Sequence, residues 1–198
     1  IFPQKKPSVY KSKTETAEKS SILSQKDFAK AKETIQFIKD RKWNSALKTA
    51  AKVKDREFRN LINWMHLKTS RNGASFSEYK KFIEQNEDYP RINRIRYLAE
   101  EKIYLRNNSP TSVINWFEKY PPLGGLGKIK LAEAYLEQGK TEKVKELIKE
   151  GWITASIRKN YLGYYRAKFK KFIDSDDHIK RADYLAWERK YWDLKRML

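Results

Sequence analysis

One local pattern occurs four times along this chain: Trp43-x-x-Ala46, Phe76-x-x-Tyr79, Pro110-x-x-Val113 and Thr141-x-x-Val144. The second residues of successive pairs are 33, 34 and 31 positions apart, and each pair opens a stretch that turns apolar at helical spacing. A period of this length belongs to stacked helix pairs, because one pair alone leaves its apolar face uncovered and needs a neighbour on it. The pattern predicts an all-α chain, a right-handed α-superhelix (solenoid) of tetratricopeptide-like helix pairs.

Composition agrees with helix. Hydrophobic residues make up 39% and aromatics 14% of the sequence, too much large apolar surface for a disordered chain even with 35% charged residues. The seven Gly and six Pro fall mostly between the periodic segments. There is no Cys, which excludes disulfides, thiolate metal sites and cysteine nucleophiles. No run approaches the roughly 18 apolar residues that a bilayer span needs. The formal charge of +19 favours polyanions, but the Lys and Arg are dispersed and interleaved with 25 acids, the pattern of a solvated helical surface.

Along the chain, residues 1–23 read as a flexible basic tail and residues 24–198 as the superhelical domain. Ser24 with Asp27 forms a capping box ahead of Phe28, Ala31, Ile35 and Ile38. A second helix is expected from Trp43 to Val53, and a third, capped by Asp55, with Phe58, Leu61, Ile62 and Met65 on its face. Ser75 restarts the chain after Asn72-Gly73. Pro90 suits the first turn of the next helix, and Ser109-Pro110 combines a capping hydroxyl with proline at the first helical position. Asp176 and Asp177 are expected to cap a later helix. The chain starts at Ile1 rather than Met and ends at Leu198 inside a helical pattern, so it is expected to be a piece of a longer protein.

Catalytic constellations are absent from the reading. His66 and His178 lie far apart and neither has a local triad partner, so no metal site and no cofactor is expected. Gly124-Gly125-Leu126-Gly127-Lys128 lacks the spacing and the Ser/Thr of a phosphate loop and reads as a flexible inter-repeat turn. The adjacent acids Glu100-Glu101 and Asp176-Asp177 read as solvated charges or caps. Trp43, Phe76, Trp116 and Trp152 sit at repeat boundaries and read as inter-helix core. The densest mixture of rings and cations is Arg158, Lys159, Tyr161, Tyr164, Tyr165 and Arg166, with Lys168. It is the candidate ligand face.

A longer series of motifs carries a family resemblance. It begins with Leu61-Ile62-Asn63-Trp64-Met65-His66-Leu67, then Gly73-Ala74-Ser75-Phe76 with Glu78, Phe82-Ile83 and Asn86, then Tyr89-Pro90, Arg96 and Ala99-Glu100. It continues with Trp116-Phe117, Tyr120-Pro121-Pro122-Leu123, Gly127 and Leu131-Ala132-Glu133-Ala134. Trp152, Leu185, Trp187 and Arg196-Met197-Leu198 complete it. In this order the segments resemble the N-terminal superhelical region of soluble lytic murein transglycosylases, particularly alphaproteobacterial forms, over residues 23–198. The resemblance implies a periplasmic scaffold, possessing no catalytic residue of its own, that positions a C-terminal lysozyme-like domain. That domain cleaves peptidoglycan glycan strands without hydrolysis, and its Glu-Ser pair and Gly-Leu-Met-Gln segment do not occur here. Tyr89 stands where the family commonly has Trp, and Lys or Asn replaces many family alanines.

The implied partners are peptidoglycan and the chain's own catalytic domain, with the chain itself a monomer. The rival from another class is a free-standing tetratricopeptide-like adaptor for a protein partner. RNA ranks below protein, because the lysines are dispersed and no base-reading code is present.

Overall fold

The structure is a computed structural model that describes residues 20–69 and 72–197. Most of the predicted tail, residues 1–19, and the terminal Leu198 lie outside the described residues. The described residues form eleven helices and no strand: α1 (Gln25–Lys39), α2 (Trp43–Ala50), α3 (Arg56–Lys68), α4 (Phe76–Gln85), α5 (Ile92–Glu100), α6 (Pro110–Lys119), α7 (Gly125–Glu137), α8 (Thr141–Thr154), α9 (Lys159–Lys168), α10 (Ser175–Trp187) and α11 (Tyr191–Lys195). The protein is all-α. The chain forms two compact units, one through Asn63 and the other from Trp64 onward. No described helix is long and apolar enough to cross a membrane.

The four repeated pairs coincide with four helix starts. Trp43, Phe76, Pro110 and Thr141 are the first residues of α2, α4, α6 and α8, and Ala46, Tyr79, Val113 and Val144, one turn in, are all buried. A second repetition appears in the turns. Three helices end with a residue at positive φ, Arg41 (60°), Gly139 (71°) and Arg189 (54°), followed by Lys42, Lys140 and Lys190 in nearly one conformation, with ψ of 63°, 63° and 59°. In each, the lysine N–H donates to a carbonyl five residues back, Phe37, Tyr135 or Leu185. The residue before it donates to Ile38, Leu136 or Ala186. This is the paired bonding of a Schellman turn, which satisfies the orphan carbonyls at a helix end.

In the first unit, α1 packs on α2. Ser24 accepts the Asp27 amide at 3.2 Å, but the expected reciprocal bond is replaced. The Asp27 carboxylate is buried and accepts the Lys54 amide at 3.2 Å, tying the segment after α2 to the start of α1. Arg59 Nη1 donates to the Val53 and Lys54 carbonyls at 2.6 and 2.7 Å, so this segment is held from both sides. Asp55 caps α3 through the Phe58 amide at 2.7 Å. α2 stops at Ala50, short of Val53; Leu61 is exposed and Trp43 only half-buried, so Ile62 anchors the inner face of this part of α3.

In the second unit α7 is the central rod. It packs on α5, α6 and α8, and its residues are buried from Ile129 through Tyr135, the mark of a helix surrounded by protein. α8 in turn packs on α10, and α10 on α11. Phe76, Trp116 and Trp152 are core residues, and Phe76 meets Trp116 edge to face with centroids 5.4 Å apart, a favoured aromatic geometry.

Four sequence expectations in this unit need correction. Pro90 does not open a helix: Arg91 adopts a left-handed conformation (φ 57°), the Ile92 amide donates to the Tyr89 carbonyl, and α5 starts only at Ile92. The glycine-rich segment is no flexible turn, because Gly125 starts α7 and its neighbours are there for close approach. A Cβ on Gly125 would stand 2.4 Å from the Ala155 nitrogen, and one on Gly127 2.5 Å from the Glu100 Cδ. Glu100 is buried rather than solvated. The cap of α10 is Asp174, with Asp177 its reciprocal partner three residues on, both held by Lys149 at 3.0 and 2.7 Å, while Asp176 sits in the first turn. Beside this start, buried Arg181 donates through Nη1 to the Trp152 and Ala155 carbonyls, closing the end of α8.

Candidate functional site

Two helices of the second unit present matched stripes to each other. On α7, Lys130, Glu133 and Glu137 recur at i, i+3 and i+7, and on α9, Tyr161, Tyr164, Tyr165 and Lys168 at i, i+3, i+4 and i+7. Such spacings put side chains on one helical face. The Tyr164 hydroxyl donates to Glu133, and Lys168 Nζ reaches Tyr164 Oη at 2.9 Å, Glu137 at 2.7 Å and Glu133 at 3.2 Å. Tyr104, in the turn after α5, completes the arrangement with its ring 5.9 Å from that of Tyr161.

Lys130 sits in the middle. It is buried, with Nζ 4.5, 5.5 and 5.9 Å from the ring centroids of Tyr104, Tyr165 and Tyr161. Burial lowers its ammonium pKa to about 8, with Glu133 pulling the other way and Lys168 adding to the drop. Three ring faces supply the attraction that compensates a desolvated cation. Burial also pushes the Tyr165 hydroxyl far above its ordinary range, so this ring acts as wall and not as acid. Burial works against the charge of Lys168, but the hydrogen bonds it donates to Glu137 and Tyr164 and the charge of Glu133 outweigh it and hold the ammonium above its usual range.

Two cavities flank this cluster. The larger, about 560 Å³, is walled by Tyr104, Arg106, Glu133, Tyr161, Tyr164 and Lys168. The smaller, about 140 Å³, lies toward Tyr97, Glu100, Leu126 and Arg158. Tyr104, Lys130, Tyr161 and Tyr165 line both, so the two make one trough floored by tyrosine and lysine.

Glu100 closes the inner end of the trough. Its Oε1 accepts the Leu123 amide at 2.5 Å and its Oε2 the Gly124 amide at 3.1 Å. Burial lifts its carboxyl to about 7 against the opposing pull of the Leu123 and Gly124 amides, Arg96 and the Gly127 amide. With both oxygens engaged by backbone, the carboxyl holds the 123–127 segment on α5; the other acid lining this cavity, Glu101, pairs with Arg158, and the Ser156 hydroxyl donates to Asp193 at 2.9 Å. The trough offers binding groups: ring faces for a flat or pyranose surface, and Tyr164, Glu133, Glu137 and Lys168 for hydroxyl and amide groups at its edge.

The predicted ligand face is divided by helix geometry. Tyr161, Tyr164 and Tyr165 line the trough, and Arg158 reaches the smaller cavity while pairing with Glu101 at 3.3 Å. Lys159 and Arg166 are exposed and line neither cavity. Lys159 precedes Tyr161 by two residues and Arg166 follows Tyr164 by two, a rotation of about 200° that carries both off the trough face. Arg166 instead lends its charge to the lowering of the His178 pKa, second to burial. The residues sequence reasoning missed are Tyr104, Arg106, Lys130 and Glu133. Lys130 and Glu133 did leave a signal, two charges inside the apolar run from Ile129 to Tyr135. Tyr104 and Arg106 left none.

No protein-family model, curated protein or solved structure matches this chain.

Proposed function

We propose that this chain is the non-catalytic superhelical scaffold of a periplasmic lytic transglycosylase. In this reading its helix pairs stack as a right-handed solenoid, it positions a C-terminal lysozyme-like domain, and its tyrosine trough contacts peptidoglycan glycan strands during cell-wall turnover. The observation that carries the reading is the ordered motif series from Leu61 through Leu198. Two further observations support the stacked-pair part. Helix starts recur at the repeat positions, and the same turn recurs after α1, α7 and α10. Packing in the second unit joins helices no more than two apart in the chain, α4 on α5, α5 on α7, α6 on α7, α7 on α8, α8 on α10 and α10 on α11, as a linear array requires. The trough supports the binding part, since clustered tyrosines edged by carboxylates and amines suit a polyhydroxylated ring.

The test is co-sedimentation with purified peptidoglycan sacculi at about 0.15 M salt, where exposed charges are screened within roughly 8 Å. Retention on sacculi without release of soluble glycan is the expected result. Retention on RNA or on a protein partner, with none on sacculi, would replace this reading with that of a free-standing adaptor. A Glu-Ser pair in a lysozyme-like domain encoded downstream is the corresponding genetic expectation.

A further inference from the structure

The tyrosine trough runs into a third cavity of about 410 Å³ with a different character. Its walls include three cations, Lys102, Arg106 and Arg158, together with Ser75, Ser77 and Asn107. Tyr104 lines all three cavities, Arg158 is shared with the smaller one and Arg106 with the larger. The aromatic trough and the cationic cavity are therefore adjoining parts of one surface.

The positive charge in this cavity is only partly balanced by the carboxylates around it, Glu101 and Glu78 standing against three cations. Glu101 pairs with Arg158 at 3.3 Å, an open contact in which both side chains keep water. Glu78 is spent on the start of α4, accepting the Ser75 amide and hydroxyl, each at 2.8 Å. Arg106 makes no ion pair among the described residues and rests over the Tyr104 ring at 5.5 Å. Lys102 donates to the Asn72 carbonyl at 2.8 Å; burial, and then the charge of Arg158, lower its pKa against the smaller opposing pull of Glu101 and Glu78. Three like charges held around one cavity repel each other, and an anion placed among them relieves that repulsion.

The opposite end of the trough carries Glu133 and Glu137. Lys168 already pairs with both, at 3.2 and 2.7 Å, so a ligand charged at every unit, such as a nucleic acid, leaves its further charges unmatched there. A ligand with a carboxylate at one end of a neutral ring does not. We infer that the cavity of Lys102, Arg106 and Arg158 is a carboxylate subsite for a sugar whose ring lies on Tyr104 and Tyr161. The inference rests on the glycan reading above and names the group that is read: the lactyl carboxylate of a muramyl residue, which is free only where the stem peptide has been removed from the strand.

The probe is the disaccharide N-acetylglucosaminyl-N-acetylmuramic acid, titrated calorimetrically into the full chain beside the same compound with its carboxylate converted to the neutral amide. The acid is expected to bind about tenfold more tightly than the amide, a preference that shrinks as salt rises. Arg106→Ala and Arg158→Ala, both at exposed positions and checked for unchanged melting, are expected to erase the preference; Tyr161→Ala is expected to weaken acid and amide alike. Equal binding of acid and amide, unaffected by Arg106→Ala, overturns the subsite and leaves the glycan reading standing. Binding of neither overturns both. A short RNA oligonucleotide that binds more tightly than the acid and displaces it also overturns the inference.

Discussion

Glu100 gives the structure a pH dependence whose sign runs against that of an ordinary ion-paired carboxylate. Its carboxyl is buried and lifted from 4.5 to about 7. For an acid raised in the folded state, the unfolded chain releases the proton first. Folding stability is then complete below pH 4.5 and falls as pH rises toward 7, levelling off above it. The shift corresponds to about 3 kcal/mol at 1.36 kcal/mol per unit. Glu100→Gln keeps the shape and removes the titration. Urea denaturation of both proteins, followed by tryptophan fluorescence across pH 4–8.5, isolates the effect from the other carboxylates. The stability of the Gln variant minus that of the parent is expected to climb by about 3 kcal/mol between roughly pH 4.5 and 7. A difference that stays flat, or that moves in favour of the parent as pH rises, rules out a raised Glu100 carboxyl. It would mean that the Leu123 and Gly124 amides hold the carboxylate more strongly than burial expels it.

Further consequences follow from the packing and the turns. Gly127→Ala gains helix propensity but drives a methyl group into the Glu100 carboxyl, so a net loss of about 1–2 kcal/mol is expected by chemical denaturation, with partial recovery in the double variant with Glu100→Ala. Gly139 is left-handed with open space around its Cβ position, so Gly139→Ala is expected to cost about 1 kcal/mol from backbone strain alone. Arg41→Gly and Arg189→Gly, at equivalent turns, are each expected to gain a few tenths to 1 kcal/mol in the same assay. Arg181→Ala strands the Trp152 and Ala155 carbonyls and is expected to lose about 3 kcal/mol, with α10 losing amide-exchange protection ahead of α7.

How much of this was legible beforehand depends on which interactions are local. The helix starts were, because a capping serine, a proline at the first position and an apolar period are all written within one turn; Ser75, Ser109 and Asp55 cap where they were expected to. Asp27, Glu100 and Asp177 were misread for one reason. Each is an acid whose partner is a backbone amide or a lysine, and for Asp27 and Glu100 the decisive amide lies more than twenty residues away, at Lys54 and at Leu123. The glycine segment was misread likewise, since its need for small residues comes from Glu100 and Ala155 and not from its own conformation. For the trough, the tyrosines of α9 stood out as a local cluster. Which of their neighbours joined them was decided by helical rotation, which removed Lys159 and Arg166, and by the α7 stripe, which brought in Lys130 and Glu133.

The proposed function makes Tyr104, Tyr161 and Tyr164 a glycan-binding surface. Amide chemical-shift mapping during titration with soluble, uncrosslinked peptidoglycan strands tests it most directly. Shifts concentrated at residues 101–108, on the Lys130–Glu137 stretch of α7 and along α9, with no cleavage of the strands, are the predicted result. Shifts clustered elsewhere, or none at concentrations that saturate sacculi binding, would contradict it.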